Sequence, residues 1–424
     1  MRRPPCDSPC GPVEDEGLLP EADVPALPVP ATYPLSPQPI AKAEVTSCTH
    51  HVVVRGCSSP NGLGFMVEKL LDASASPQHN HHVRIGLDAG EGRHVKQLQE
   101  LVVELTDRCP MSCNHCSSGS GPMRRAALKE DVLFRLLAEA SELRARKVSF
   151  GGGEPTVSPL LLPALREAAR LGIEAEVFSC GITSAGQQRP VSFSEEFVIA
   201  VSGLPGDVAF VFSFHGSSAQ VHDSVTGVRG SFELLTRSVR RTLAQGIRCA
   251  ANFVPTRVNV RDLPEVVSLL EGLGIGKLSI LRFVPQGRGQ QNRKRLELSR
   301  EEEHEFVQEL LDLRSHSDVD IRTGSPFNGI VPDNNVPCRA GFHKLVVQAD
   351  GNVLPCEVFK DATRRDWGAS VHRRSLAAIL DSEQFSALRK LLFEGRCATC
   401  PVHGILRANQ PRSGAMHGLS KAAF

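Results

Sequence analysis

Between residues 100 and 284 the chain alternates between two hydrophobic periods, and this alternation restricts the fold more than any other feature. Short apolar runs such as LVVELT, KVSF, IEAEVFS, DVAFVFSF, IRCAANFV and KLSILRFV have the length and β-branched content of strands. Helix-period text lies between them, at about residues 128–145, 160–170, 232–244 and 263–273, with a less regular stretch after Ser194. A strand, a helix and a parallel strand are joined by right-handed crossovers, so six such units predict an α/β chain with a parallel sheet. Six are too few to close an eight-stranded barrel, so the expected architecture is a partial (β/α)6 TIM-type barrel. Its chemistry belongs at the carboxyl ends of the strands.

The first of those ends carries LVVELTDRCPMSCNHCSSGSG, in which Cys109, Cys113 and Cys116 stand as C-x3-C-x2-C. The chain has 13 cysteines, an odd number, and no apolar stretch approaching the ~18 residues needed to span a bilayer. The N-terminal arginines have no continuous apolar segment behind them. A cytoplasmic location is therefore expected, where thiols stay reduced and serve metals rather than a disulfide framework. A formal net charge of +1 supplies no electrostatic footprint for nucleic acid or for an anionic membrane surface. At 424 residues, 41% hydrophobic and 22% charged, the chain is long enough for two or three ordinary globular domains. Three thiolates on one loop suit a cubane iron-sulfur cluster, leaving its fourth iron open to a ligand that is not protein. A zinc site would need a fourth ligand, and His115 stands too close to Cys116 for easy tetrahedral geometry.

Two further motifs fall at strand ends. Gly151-Gly152-Gly153-Glu154-Pro155 ends the second strand, where glycines let backbone approach a ligand and Glu154 can accept from an ammonium. The segment VFSFHGSSAQVHDSVTG ends the fourth, with Ser213 at its strand terminus. In this order the motifs resemble those of the radical S-adenosylmethionine (SAM) superfamily, over about residues 99–402. The resemblance implies that SAM chelates the open iron through its amine and carboxylate, with His115 as the ring-bearing residue before the last cysteine. It implies that Gly152, Gly153 and Glu154 bind the SAM amino group, and that Ser213 reaches the ribose or carboxylate. By analogy Asn252 and the backbone around Phe283 approach the nucleoside. Many relatives carry an arginine three residues after the His222-Asp223 pair; Thr226 stands there, leaving the carboxylate partner unassigned. The basic run QGRGQQNRKR, residues 286–295, reads as a solvated connection.

Ser299 followed by Glu302 is a capping-box pattern, and the helix it opens is expected to lead out of the barrel. Beyond it stand Cys338, Cys356, Cys397 and Cys400, with an Asp350-Gly351 turn predicting a β-hairpin that brings Cys338 and Cys356 together. On spacing alone, four cysteines suit either a cluster or zinc. The pattern resembles the Twitch domain, the shortened SPASM domain of radical SAM maturases, which implies one auxiliary 4Fe-4S cluster. A full SPASM domain carries more cysteines downstream, and none follows Cys400. Residues 1–43 hold 11 of the 29 prolines and are read as a flexible segment. Residues 44–98 read as a small N-terminal α+β extension. Cys6, Cys10, Cys48 and Cys57 are read as unligated thiols, and His50, His51, His79, His81 and His82 as solvated. The layout continues with the barrel at 99–298, a linking helix and strand at 299–337, the auxiliary domain at 338–405 and a tail at 406–424.

The resemblance implies reductive cleavage of SAM to a 5′-deoxyadenosyl radical that removes hydrogen from a substrate, with a flavodoxin- or ferredoxin-type electron donor. A peptide substrate, and hence a maturase, is preferred; oxidation or epimerisation of a small molecule such as an aminoglycoside is the alternative. A non-catalytic zinc protein is a third reading. Cys180, after the third strand, is either a hydrogen-atom donor to a substrate radical or a small half-buried residue in a turn.

Overall fold

The computed structural model describes residues 98–185, 189–360 and 369–393. Expectations placed on residues 1–97, on Cys397 and Cys400 and on the tail lie outside the described residues. Eleven strands are present among them: β1 Glu100–Thr106, β2 Lys147–Gly152, β3 Glu174–Ser179, β4 Ile182–Ala185, β5 Arg189–Ser192, β6 Val208–Ser213, β7 Arg248–Phe253, β8 Lys277–Ile280, β9 Asp320–Thr323, β10 Lys344–Val347 and β11 Val353–Leu354. The helices are α1 Glu130–Glu142, α2 Leu161–Arg170, α3 Glu195–Ser202, α4 Ala219–Thr226, α5 Ser231–Ala244, α6 Leu263–Leu273, α7 Gly287–Gln291, α8 Arg293–Leu296, α9 Arg300–His316, α10 Leu376–Leu380 and α11 Glu383–Phe393.

Strands β1, β2, β3, β6, β7 and β8 lie side by side in that order, all parallel, which is the expected partial (β/α)6 arrangement. Alternation along β1 explains how the sheet uses its faces. Leu101, Val103 and Leu105 join the main core with Leu133, Leu136 and Leu137 of α1, while Glu100, Val102, Glu104 and Thr106 occupy the other face. The same parity sends Phe150, Val177, Phe210, Phe212, Ala251, Phe253, Leu278 and Ile280 into that core. On the inner face stand Ser149, Glu176, Ser213 and Asn252, among apolar Val102, Phe178 and Val211. An interior face with polar side chains at several strand positions thus follows from period-2 patterning before any ligand is considered.

Three elements differ from expectation. The helix opened by Ser299 does not leave the barrel: α9 is another crossover, and β9 pairs parallel with β8, Lys277 opposite Asp320. The capping box itself is present, Glu302 N donating to Ser299 Oγ at 3.2 Å and Ser299 N to Glu302 Oε2 at 2.7 Å. At the other edge, β10 pairs parallel with β1, Glu100 opposite Lys344, so the expected hairpin of β10 and β11 joins the main sheet. Finally, β4 and β5 form a separate antiparallel pair after β3. Four-residue strands at such edges carry too little text to show a period. Among the described residues no helix is long and apolar enough to cross a membrane.

Ser299→Ala removes one half of a reciprocal cap and should lower stability by about 1 kcal/mol. Urea unfolding of the variant checks this, and an unchanged midpoint would show that the cap contributes nothing.

Candidate functional site

The cysteine loop leaves β1 and is fastened to the end of β2 by backbone. Gly153 N donates to Thr106 O at 2.6 Å and Glu154 N to Arg108 O at 2.9 Å. Gly152 has φ +119°, and a Cβ on either Gly152 or Gly153 would run into the carbonyls of Thr106 or Arg108. The glycines therefore serve a close approach, as expected, but the surface they approach is the strand leading to Cys109. Glu154 is wholly buried, and its carboxylate accepts from Ser179 Oγ at 2.8 Å, Thr156 Oγ1 at 2.8 Å and Cys180 N at 2.8 Å. Burial raises its pKa, and the hydrogen bonds from Cys180, Thr156 and Ser179 work against that rise. Oε2 takes only the Cys180 bond, so it retains acceptor capacity for an ammonium.

Cys109, Cys113 and Cys116 sit together on this loop, Cys109 buried and the other two half-buried. Met111 N donates to Cys109 Sγ at 3.4 Å. Burial pushes the Cys113 thiol up, and the neighbouring Cys109 and Cys116 push it further, while Arg288 draws it down. Such crowding is unfavourable for bare thiolates and is relieved when each binds an iron. His115 Nδ1, Asp107 Oδ1 and Ser120 Oγ around the loop are buried with no hydrogen-bond partner in the protein. Buried orphans cost roughly 1–3 kcal/mol each, so the loop fits a bound polar group. Among the described residues no three His, Cys, Asp or Glu side chains converge as around a single ion. A cubane asks for no such convergence, since each thiolate takes its own iron.

Ser213 and Asn252 are register partners at the ends of β6 and β7, and Phe214 N donates to Asn252 O at 2.9 Å. Phe283 is buried after β8 and faces Gly289. The His115 ring meets His215 edge-on at 4.4 Å, and His215 lies 5.6 Å from His222. Burial, and then Arg288, lower the His115 pKa to about 4; burial dominates the lowering of His222, also to about 4. Thr226 turns away from any ligand role, sharing a 2.7 Å hydrogen bond with Ser231. Asp223 is likewise spent locally, accepting from Gly230 N, Ser231 Oγ and Phe232 N. Cys180 packs with Cys109, Met111 and Ile182, its Sγ 3.5 Å from Ile182 O.

The basic run 286–295 is not a solvated connection. It folds as α7 and α8 against the cysteine loop: Arg288 N donates to Cys116 O at 3.0 Å, Arg288 Nε to Cys113 O at 2.9 Å, and Asn292 Nδ2 to Asn114 O at 3.1 Å. A Cβ on Gly287 would clash with the Cys116 and Ser117 carbonyls. The glycine-arginine alternation was the available signal, since close backbone approach needs glycine and loop carbonyls need forked donors. From the other side Asn114 donates to Ser224 O at 3.0 Å and to Val225 O at 2.9 Å, capping the last turn of α4. In the C-terminal part, Cys356 directly follows the β-hairpin, where its thiol is raised by burial, by Glu357 and, less, by Cys338. Cys338 precedes β10 and Cys356 follows β11, so the two stand at opposite ends of the hairpin.

The chain matches the Radical SAM superfamily over residues 103–270 and an iron-sulfur cluster-binding domain, SPASM, over residues 338–401. It is 28% identical to the PqqA peptide cyclase of Gluconobacter oxydans over 259 residues, 60% of this chain and 69% of that one. It is 24% identical to the AdoMet-dependent heme synthase of Oleidesulfovibrio alaskensis over 340 residues, 74% and 83% of the two chains. Among solved structures, Streptococcus suis SuiB bound to its precursor peptide SuiA shares the fold with a TM-score of 0.57 at 17% identity, covering 69% of this chain and 67% of that one. With the thiols, the glycine-glutamate turn and the partial barrel in one place, the chain carries a radical SAM domain followed by a SPASM iron-sulfur domain, and is an enzyme built on S-adenosylmethionine and 4Fe-4S clusters.

Proposed function

We propose that this enzyme is a peptide maturase. The observation that carries the reading is the joining of a radical SAM barrel to a SPASM domain in a chain similar to the PqqA peptide cyclase. When bound, the first cluster and SAM supply a 5′-deoxyadenosyl radical by reductive cleavage, and the protein supplies orientation and a dry site. Cys109, Cys113 and Cys116 would hold that cluster. The Gly152 and Gly153 backbone and the Glu154 carboxylate would orient the SAM amino group, Glu154 already being fixed by Ser179, Thr156 and Cys180. Ser213 would offer a hydroxyl to the ribose or carboxylate, and its register partner Asn252 and the backbone around Phe283 would approach the nucleoside, with His115 as the ring-bearing residue before the last cysteine. Arg288 and Asn292 hold the loop carbonyls so that the three thiols keep their spacing.

Cys338, Cys356, Cys397 and Cys400 would hold the auxiliary cluster. With all four positions filled by protein, that cluster has no iron left for substrate, and its role is electron transfer. A flavodoxin- or ferredoxin-type protein is the proposed source of electrons. Similarity to a heme synthase supports a second reading, in which the substrate is a small molecule.

Three measurements bear on these assignments. Anaerobic reconstitution should load about eight irons per chain, and iron and sulfide analysis near four would remove one cluster. Replacing Cys109, Cys113 and Cys116 together by Ala should halve the iron and abolish 5′-deoxyadenosine formation; persistence of that product would displace the three cysteines from their role. Co-expression with short peptides encoded beside the gene should give a SAM-dependent mass change in one of them. A mass change confined to a small metabolite, with all such peptides untouched, would favour the second reading instead.

A further inference from the structure

A chain of alternating charges runs across the inner face, from the barrel floor to both sets of cysteines. Glu176 of β3 meets Lys147 of β2 at 2.7 Å, Lys147 lies 3.6 Å from Glu100 of β1, and Glu100 lies 3.7 Å from Lys344 of β10. Lys344 continues to Glu357 at 2.8 Å, and Glu357 Oε2 accepts from the Cys356 thiol at 3.4 Å. Four residues beyond Cys356, Lys360 turns back into the barrel, where its Nζ is 2.6 Å from Glu104 Oε1 and donates to Ser118 Oγ at 2.9 Å. Ser118 is two residues after Cys116.

The Lys360-Glu104 pair is unlike the surface pairs of this chain, because its side chains are only 10% and 6% exposed. Removing both charges from water usually costs as much as their attraction returns, so stability does not account for the pair. At 2.6 Å the contact is a short, charge-assisted one, in which Glu104 both attracts the ammonium and fixes its position. Burial alone would lower the Lys360 pKa, yet Glu104, Glu357 and Cys116 raise it, so the ammonium lies within the field of a barrel thiol. Little solvent or salt intervenes to screen that field.

We propose that Lys360, held in place by Glu104, is a positioning residue that sets the reduction potential of the cluster carried by Cys109, Cys113 and Cys116. The inference rests on the assignment of a cluster to those thiols. Reduction adds a negative charge to the cluster, and a fixed nearby cation favours the more negative state, raising the potential. Glu104 acts with the opposite sign while fixing where the ammonium sits. Because Lys360 belongs to the C-terminal segment, the barrel cluster acquires its full potential only when residues 338–360 are docked on β1.

The test is a redox titration of the reconstituted full chain followed by electron paramagnetic resonance, the barrel cluster being the signal that changes when SAM is added. Lys360→Met should shift its midpoint to more negative values, Glu104→Gln should shift it to more positive values, and Lys360→Arg should return it close to the parent. Iron content serves as the check that each variant is loaded. Unchanged midpoints, or shifts of the same sign in Lys360→Met and Glu104→Gln, would reduce the pair to a structural contact and overturn the proposal. A parent protein with no SAM-responsive signal would overturn the cluster assignment itself, and the proposal with it.

Discussion

The two backbone hydrogen bonds from Gly153 N to Thr106 O and from Glu154 N to Arg108 O are the constraint on which the rest of the site depends. They hold the carboxyl ends of β1 and β2 so close that neither Gly152 nor Gly153 has room for a Cβ. One contact thereby fixes two things that must agree: where the cysteine loop begins, and where the Glu154 carboxylate points. Any side chain at Gly153 would separate them, because the obstruction is backbone and cannot move aside as a flexible side chain would.

From that junction the cysteine loop is fastened on every side by a different segment. Asn114 reaches α4, Arg288 and Asn292 reach back from α7 and its end, Cys109 N bonds Gly121 O at 3.1 Å, and Ser118 takes the Lys360 ammonium. Most of these bonds end on loop carbonyls, so they set backbone shape and leave the thiols free for metal. A loop with three thiols and several orphaned buried atoms is unfavourable by itself. Its stability is drawn from parts of the chain as far as 242 residues away, through contacts such as Lys360 to Ser118.

Five of the barrel strands, β1, β2, β3, β6 and β7, run six or seven residues and show their period, and four-residue β8 is legible because its apolar text KLSILRFV continues past it. α9 is legible in its start because the Ser299-Glu302 cap is local. What sequence reading misses is non-local. Nothing in four-residue β9 or β10 says which edge of the sheet it joins, since that choice depends on exposed strand edges far away in the chain. The Cys-x3-Cys-x2-Cys spacing announces its chemistry, but the braces on it do not. Arg288 and Asn292 read as part of a solvated connection because their partners are main-chain carbonyls, which leave no mark in composition. Thr226 departs from the family pattern, and the structure gives it a local role with Ser231 that no motif would disclose.

The pairing of β10 with β1 fixes where the C-terminal hairpin sits on the sheet. Because Glu100 stands opposite Lys344 and Val103 opposite Val347, the hairpin that ends at Cys356 is registered, residue by residue, to the strand that ends at Cys109. A domain docked only by side chains could shift by an ångström or more with little cost, whereas a parallel ladder resists slippage because one step would exchange the faces of Val346 and Val347. The cysteine-bearing segments are thereby held at a distance set by backbone geometry. The charged residues that cross the interface, Lys344 and Lys360, come from the hairpin side, and their carboxylate partners Glu100 and Glu104 from β1 itself. The same ladder that fixes distance therefore also fixes the charges that stand between the two cysteine-bearing segments.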